Sequence, residues 1–279
     1  MCPRVTPSAV GHLEPEVTED LHTSLADPRS AVVLFSGGID STTLVYKLLS
    51  MKLFRIHLLN TYYGQRHAIE QQAAQRIAFI FREQKGLSFS QVDLSSLFQV
   101  AGEEKQRSVL LNHSKPMPHG HYADETMKQT VVPYRNLLLA TVGAINAAMG
   151  KFNCVAIAAH AGDHAIYPDC RPEFFRAMQG ALSEGIEDGV KLYTPFLTRT
   201  KTDIVNLGFR LDVPYHLTWS CYDPQRSRSS TRTIVDNGDP LWLHCGKCGT
   251  CVERKEAFEL AGVPDPTRYV VCKPSIREL

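Results

Sequence analysis

The sequence lacks a charge bias, a long apolar run and an apolar segment near its amino terminus. Lys and Arg number 30 against 29 Asp and Glu, a formal net charge of +1, so composition gives no reason to expect a nucleic-acid partner. No apolar run approaches the roughly 20 residues that span a bilayer. The opening stretch MCPRVTPSAVGHLEPEVTEDL also lacks the apolar core of a secretory signal. We therefore predict a cytoplasmic protein without a membrane partner.

Cysteine, by contrast, is abundant, with eight in 279 residues. In a reducing compartment structural disulfides are uncommon, so a cysteine cluster points first to metal binding. Cys245, Cys248 and Cys251 are spaced by two residues, which lets their sulfurs converge on one ion. Cys221 supplies a fourth ligand. An all-thiolate shell leaves no water position, so the pattern predicts a structural Zn²⁺, with an iron–sulfur cluster as the alternative.

Strand-like and helix-like segments alternate along the chain, which predicts an α/β fold with a doubly wound, mostly parallel sheet. The predicted strands lie within 31–35, 54–65, 87–97, 152–160 and 191–197, and the predicted helices within 41–51, 67–84, 133–150, 172–185 and 201–211. Residues 101–130 are polar with little periodicity, and we expect a loop or lid there.

The pattern divides the chain into three parts. Residues 1–28 are rich in Pro, Glu and Thr and predict a flexible lead. Residues 29–212 contain the alternating pattern and predict a nucleotide-binding α/β domain. Residues 213–279 predict a small, loop-rich zinc-binding region with an inserted loop at 223–243.

The stretch AVVLFSGGIDSTTLVYKLL has the most specific chemistry in the chain. A buried strand meets two glycines, then hydroxyl side chains and an acid, then a helix. Unpaired N–H groups at a helix start form an anion seat, and glycines let the backbone approach the anion closely. The stretch is neither a Walker loop nor the dinucleotide fingerprint. Asp40 would repel a phosphate unless it holds Mg²⁺ or a helix N–H. The alternative to an anion site is an ordinary glycine turn capped by Asp and Ser.

SGGIDST after an apolar strand resembles the PP-loop of ATP pyrophosphatases, a motif shared by thiouridine, GMP and argininosuccinate synthetases. The resemblance implies that ATP is cleaved between its α and β phosphates and that a substrate is adenylated. It implies nucleotide contacts from the following residues: Phe35, Ser36, Gly37, Gly38, Ile39, Asp40, Ser41, Thr42, Thr43, Leu44 and Val45, with Gln65 and Arg66 after the second strand.

Three further stretches narrow the resemblance. They are TYYGQRH at 61–67, AAHAGDHAIYPDCRPEFF at 158–175, and TWSCY at 218–222 followed by HCGKCGTCVER. Together they are similar to the QueC family, the 7-cyano-7-deazaguanine synthases of queuosine biosynthesis. This resemblance implies an ATP-dependent ligase that converts 7-carboxy-7-deazaguanine and ammonia to the nitrile through an adenylate and an amide. It also implies a homodimer.

Candidate catalytic residues follow from these stretches. They are Ser36, Asp40, Arg135, Asp163, Asp169 and Arg171. A flat, purine-like substrate needs an aromatic slot with a few polar groups at its edge, and Tyr167 and Phe174 are the residue types for the slot. An Asp suits the N–H edge of a guanine-type base, and Arg171 suits a carboxylate. Each of these residues could instead stabilise its loop.

Two departures from the family pattern keep rival functions open. The insertion at 223–243 carries Arg226, Arg228 and Arg232, and is either a solvated excursion or a contact for a partner. Tyr134 in VPYRN adds bulk beside Arg135. The nearest rival is a ligase that transfers the adenylated carboxylate to another amine or stops at the amide. A tRNA thiolase of the PP-loop type and a non-catalytic zinc-binding scaffold are more distant alternatives.

Overall fold

A five-stranded parallel sheet forms the centre of the fold, in the order β3-β2-β1-β4-β5. The structure, a computed structural model, describes residues 30–52, 55–66, 69–98, 107–121, 125–187, 189–227 and 242–270. The strands are β1 (Ser30–Leu34), β2 (Arg55–Tyr62), β3 (Leu87–Asp93), β4 (Cys154–Ala156) and β5 (Lys191–Tyr193). The strand order reverses between β1 and β4, where sheets of this kind bind ligands at the carboxyl ends of the strands. The predicted doubly wound sheet is confirmed.

Helices cover both faces of this sheet. They are α1 (Ile39–Ser50), α2 (Ile69–Ile80), α3 (Ser95–Phe98), α4 (Arg135–Gly150), α5 (Pro172–Glu184), α6 (Lys201–Arg210) and α7 (Gly249–Leu260). Successive residues of β1 point to opposite faces, so Ala31 and Val33 pack with α1, α2, α6 and α7, whereas Val32 packs with α4 and α5. Burial on both faces explains why β1 is apolar from Ala31 to Leu34. Among the described residues, no helix has the length and apolar character needed to cross a membrane.

The segment predicted as a loop or lid is irregular but packed. Its described parts, 107–121 and 125–130, contain one short 3₁₀ helix at Glu125–Thr130. Val109, Leu110 and Leu111 are buried in the hydrophobic cluster that contains the four candidate metal ligands. The segment therefore belongs to the wall around the cysteines rather than forming a free lid.

The carboxyl-terminal region is more ordered than the sequence pattern predicts. The expectation of a loop-rich tail is wrong at Gly249–Leu260, because these residues form helix α7. In addition, two short antiparallel strands, β6 (Gln225–Arg226) and β7 (Trp242–Leu243), pair with each other. Ala257 and Phe258 of α7 are buried in the same core as β1 and α1. A cysteine ligand and an arginine occupy much of the buried face of α7, so its apolar periodicity is weak. Residues 1–28 and most of the insertion, 228–241, lie outside the described residues.

Gly208 of α6 provides a test of the packing on the α1 face. A methyl group at Gly208 would overlap Tyr215 Oη, which hydrogen-bonds Thr43 Oγ1 at 2.9 Å and Ile204 O at 3.1 Å. We expect Gly208→Ala to lower the free energy of unfolding by about 1–3 kcal/mol, because the core cannot expand to admit the methyl group. Urea denaturation of the full chain measures this change.

Gly180 of α5 is the matched control. It is also a helical glycine, but nothing lies within 4 Å of the position that its Cβ would take. Gly180→Ala should raise the free energy of unfolding by up to about 1 kcal/mol through helix propensity alone. Equal effects of the two substitutions would contradict the packing described for α6.

Candidate active site and metal centre

The loop between β1 and α1 presents an uncapped helix start. Gly37 has a φ of +83°, and a Cβ there would lie 2.5 Å from Ala74 N of α2, so only glycine fits. Ser36 Oγ accepts the Gly38 N–H at 3.1 Å and lies 3.1 Å from Ser41 Oγ. No side chain caps the amino terminus of α1. The loop is therefore held open with its helix N–H groups available to an anion.

This loop forms one wall of a cavity of about 240 Å³ at the carboxyl ends of β1, β2 and β4. The cavity lies at the reversal in strand order, as the predicted fold requires. The structure brings nine of the predicted site residues together in its lining: Phe35, Ser36, Gly38, Ile39, Asp40, Ser41, Gln65, Arg135 and Asp163.

Six residues predicted to contact the nucleotide lie outside this lining. They are Gly37, Thr42, Thr43, Leu44, Val45 and Arg66. The helical repeat turns Leu44 and Val45 into the core, and Gly37 packs its backbone against α2. Arg66 donates to Lys115 O at 2.7 Å and so holds the segment at 107–121 instead.

The candidates Tyr167, Asp169, Arg171 and Phe174 also lie outside the lining of the cavity. Asp169 Oδ2 accepts the Asn136 backbone N–H at 3.0 Å and thereby caps α4, while Arg171 is exposed and donates to His164 O at 2.9 Å. Tyr167 is buried with its hydroxyl 2.6 Å from Thr130 Oγ1, and Phe174 packs on Phe175. From the 3₁₀ helices at Ala161–Ala165 and Pro168–Cys170, Asp163 and Cys170 contribute to the lining of the cavity.

The aromatic walls of the cavity come from other parts of the chain. Tyr63 follows β2, and Trp219 and Tyr222 flank Cys221. The Trp219 backbone N–H donates to Gly37 O at 3.1 Å. This aromatic wall is therefore hydrogen-bonded directly to the loop between β1 and α1, which is called the phosphate loop below. The sequence patterns around these three residues did not predict that they form the aromatic slot.

A charged cluster missed by sequence reasoning lies beside the loop. Lys201 Nζ is 2.6 Å from Asp40 Oδ2, 3.5 Å from Glu253 Oε2 and 3.1 Å from His160 Nε2. His160 Nε2 is 3.5 Å from Asp163 Oδ2. The His160 Nδ1 accepts the Gly162 N–H at 3.1 Å, so a neutral ring carries its proton on Nε2. Lys201 begins α6 and Glu253 lies in α7, and no local pattern relates either residue to Asp40.

The electrostatics of this cluster keep Lys201 charged. Burial lowers the pKa of Lys201, but the carboxylates of Asp40, Glu253 and Asp163 outweigh it, so the pKa rises above its ordinary value. Burial raises the pKa of Glu253, opposed by Lys201 and His160. Asp40 Oδ1 is buried and makes no hydrogen bond, so this oxygen can hold a cation.

Arg135 supplies a second cation to the cavity. It begins α4, its Nε donates to Asn136 Oδ1 at 3.3 Å, and its guanidinium lies 5.4 Å from the ring centre of Tyr167. Its side chain also hydrogen-bonds that of Tyr63, and within the part of the chain that the structure describes no carboxylate forms an ion pair with it. Tyr134 has a φ of 56° and is 76% exposed, so its bulk points to solvent rather than into the cavity. Arg135 is thus available to an anionic ligand.

The four predicted metal ligands meet in a buried cluster. The Sγ atoms of Cys221, Cys245, Cys248 and Cys251 all lie within 4.8 Å of one another. Two of the separations are 3.9 and 4.0 Å, close to the ~3.8 Å expected between thiolates on a tetrahedral Zn²⁺. Backbone N–H groups of Cys245 and Cys248 point at Sγ atoms at 3.2 Å, which stabilises thiolates. The donor set fits one metal ion.

Comparison with known proteins identifies the family. A family model described as "Queuosine biosynthesis protein QueC" matches residues 30–262. The chain belongs to the QueC family. A relative named 7-cyano-7-deazaguanine synthase from Rhizobium meliloti (strain 1021) is 43% identical over 241 residues, covering 85% of this chain and 91% of the relative.

A second relative of the same name, from Paracoccus denitrificans (strain Pd 1222), is 42% identical over 242 residues, covering 85% of this chain and 92% of the relative. Among solved structures, an NH3-dependent NAD synthetase from Campylobacter jejuni matches with a TM-score of 0.42 at 14% identity, over 69% of this chain and 68% of that one. The matches within the QueC family are therefore much the stronger ones.

Lys201 offers a test of the charged cluster in this QueC family member. Replacing Lys201 with Met leaves Asp40, Asp163 and Glu253 without their cation, so negative charge accumulates beside the phosphate loop. We expect Mg·ATP to bind about 10- to 100-fold more weakly, the equivalent of one charge-assisted hydrogen bond. Isothermal calorimetry measures the change. Lys128→Met, which removes an exposed lysine paired with Glu125, is the control, and equal dissociation constants for both variants would contradict the assignment.

Proposed function

We propose that this chain is an ATP-dependent ligase that converts 7-carboxy-7-deazaguanine and ammonia to 7-cyano-7-deazaguanine in queuosine biosynthesis. Membership of the QueC family over residues 30–262 carries the proposal. The open phosphate loop and its cavity support it, because a scaffold would have no need for an uncapped anion seat beside a charged cluster.

The reaction consists of two adenylations. The substrate carboxylate attacks the α phosphorus of ATP, releasing pyrophosphate and forming an acyl-adenylate. Ammonia then attacks the acyl carbon, AMP leaves with the carboxylate oxygen, and an amide remains. The amide oxygen attacks the α phosphorus of a second ATP, releasing pyrophosphate and one amide proton, and loss of AMP and the second amide proton leaves the nitrile. The protein must therefore bind pyrophosphate, orient a planar acid and offset developing negative charge.

The described residues suit these tasks. We assign the pyrophosphate to Ser36, Gly38 and the start of α1, with Lys201 offsetting its charge. The unpartnered Asp40 Oδ1 would hold Mg²⁺. That ion would neutralise charge on the phosphate oxygens.

We assign the substrate carboxylate to Arg135 rather than to Arg171. Arg135 lines the cavity, lacks a carboxylate partner among the described residues and lies among the aromatic walls, whereas Arg171 is exposed outside it. Glu70 also lines the cavity and interacts electrostatically with Tyr63 and Tyr222, so it can accept the N–H edge of the base. Asp163 then acts with Lys201 at the phosphate side.

The metal at the four cysteines is assigned as Zn²⁺. Four thiolates close the coordination shell, so the ion stabilises the fold and exposes no position for substrate. The metal site also adjoins the aromatic wall, because Cys221 follows Trp219 by two residues in the sequence. A zinc ion there would hold this wall against the phosphate loop.

Location and assembly complete the proposal. The described cysteines are all free of disulfides, which supports a reducing cytoplasm. An exposed stripe on and just before α4 contains Tyr134, Leu137, Thr141, Ile145 and Met149, spaced three or four residues apart. We propose that this stripe contributes to a homodimer, since helical faces of this kind pack against a second copy by two-fold symmetry.

A product assay tests the function. Purified protein receives ATP, Mg²⁺, ammonium and 7-carboxy-7-deazaguanine, and mass spectrometry follows the base and the nucleotide. We expect the nitrile base together with AMP, and no AMP from Asp40→Ala. AMP with only the amide would show that the reaction stops there. No base-dependent AMP would refute a ligase that acts on this base.

Substituting the two arginines separates the carboxylate assignments. Arg135→Lys keeps the charge but loses the paired, planar donors, so we expect the KM for 7-carboxy-7-deazaguanine to rise about tenfold. Arg171→Lys is the matched control and should leave that KM unchanged. Steady-state kinetics at saturating ATP measure both values. A larger effect at Arg171 would return the carboxylate to the site that the sequence pattern suggested.

A further inference from the structure

Glu253 connects the metal-binding region to the phosphate loop. It lies in α7, two residues after the ligand Cys251, yet its carboxylate faces the cavity. Glu253 Oε2 is 3.5 Å from Lys201 Nζ and Oε1 is 3.9 Å from His160 Nε2. A Cβ at Gly162 would lie 3.1 Å from Glu253 Oε1, so a glycine makes room for this carboxylate.

The helix that carries Glu253 is fixed by the next residue. Arg254 is fully buried and donates to Thr218 Oγ1 and Tyr215 O, each at 2.9 Å, and to Ser220 Oγ at 3.1 Å. These acceptors lie in the segment at 215–220, which includes Trp219, and the backbone N–H of Trp219 donates to the phosphate loop. The carboxylate of Glu253 is therefore held at a defined place relative to α1.

Lys201 lies between two carboxylates that come from different helices. Asp40 belongs to α1, and its engagement with a nucleotide and a cation would weaken its pair with Lys201. Lysine has a long, flexible stem, so a single partner would leave its ammonium poorly placed once that partner is engaged. Glu253 provides a second anchor from α7.

We propose that Glu253 is a positioning residue that holds Lys201 beside the phosphate loop while Asp40 engages the nucleotide and its metal ion. The inference rests on the proposed function. It gives the metal-binding region a part in nucleotide binding that a purely structural ion site would not have.

A double-mutant cycle tests the proposal. The full chain, Glu253→Gln, Lys201→Met and the double variant are titrated calorimetrically with the non-hydrolysable analogue AMPCPP in the presence of Mg²⁺. Because Glu253 acts through Lys201, Glu253→Gln should weaken binding about tenfold in the unaltered chain and less than about twofold in the Lys201→Met chain. Glu256→Gln, on the same helix and paired with His121 at 3.3 Å, should bind as the unaltered chain does.

Metal content and the unfolding midpoint are measured for every variant. Both quantities should be unchanged in Glu253→Gln. Glu253→Asp keeps the charge and should recover part of the lost affinity. It replaces Glu253→Gln in the cycle if the Gln variant does not fold. Equal losses in both Lys201 backgrounds would overturn the positioning role, as would a loss that follows the metal content. Absence of binding by the unaltered chain would overturn the proposed function and the inference together, whereas additivity with intact binding overturns the inference alone.

Discussion

The site depends on a buried ammonium that must be neutralised. Removing the charge of Lys201 from water costs several kcal/mol unless carboxylates surround it. Asp40 on α1, Glu253 on α7 and Asp163 after β4 provide them, and Lys201 itself begins α6. Each of these elements also buries apolar residues against the central sheet. The charge requirement and the packing of the core therefore support the same arrangement around the phosphate loop.

The metal-binding region is part of this arrangement rather than an appendage. Arg254 secures α7 to the segment at 215–220, and Trp219 joins that segment to Gly37 of the loop. Phe258 of α7 lies in the same core as β1. A metal ion at the cysteines would stabilise a region that supplies walls of the cavity, which is a physical reason for the cysteine cluster to lie so close to it.

Much of the local structure could be predicted because its causes are local. Alternating apolar segments identify the strands and most of the helices, and the glycines after β1 identify the phosphate loop. The two-residue spacing of Cys245, Cys248 and Cys251 is itself a geometric constraint on one ion. Helix α7 was not predicted because Cys251 and Arg254 occupy positions on its buried face. Apolar residues at such positions usually produce the periodic pattern from which a helix is predicted. Asp169 and Arg171 lie outside the cavity lining, because residues adjacent in sequence need not face the same cavity.

The amino-acid sequence by itself determined the sheet class, the glycine loop after β1, the four-cysteine cluster and the family, since each depends on residues close together in the chain or on an ordered set of motifs. Only the tertiary structure decided which side chains line the cavity. Lys201 is 161 residues from Asp40 along the chain, and Glu253 is farther still, yet one ammonium joins them. Long-range pairs of this kind leave no periodic or spaced signal, because their proximity results from how the helices pack on the sheet.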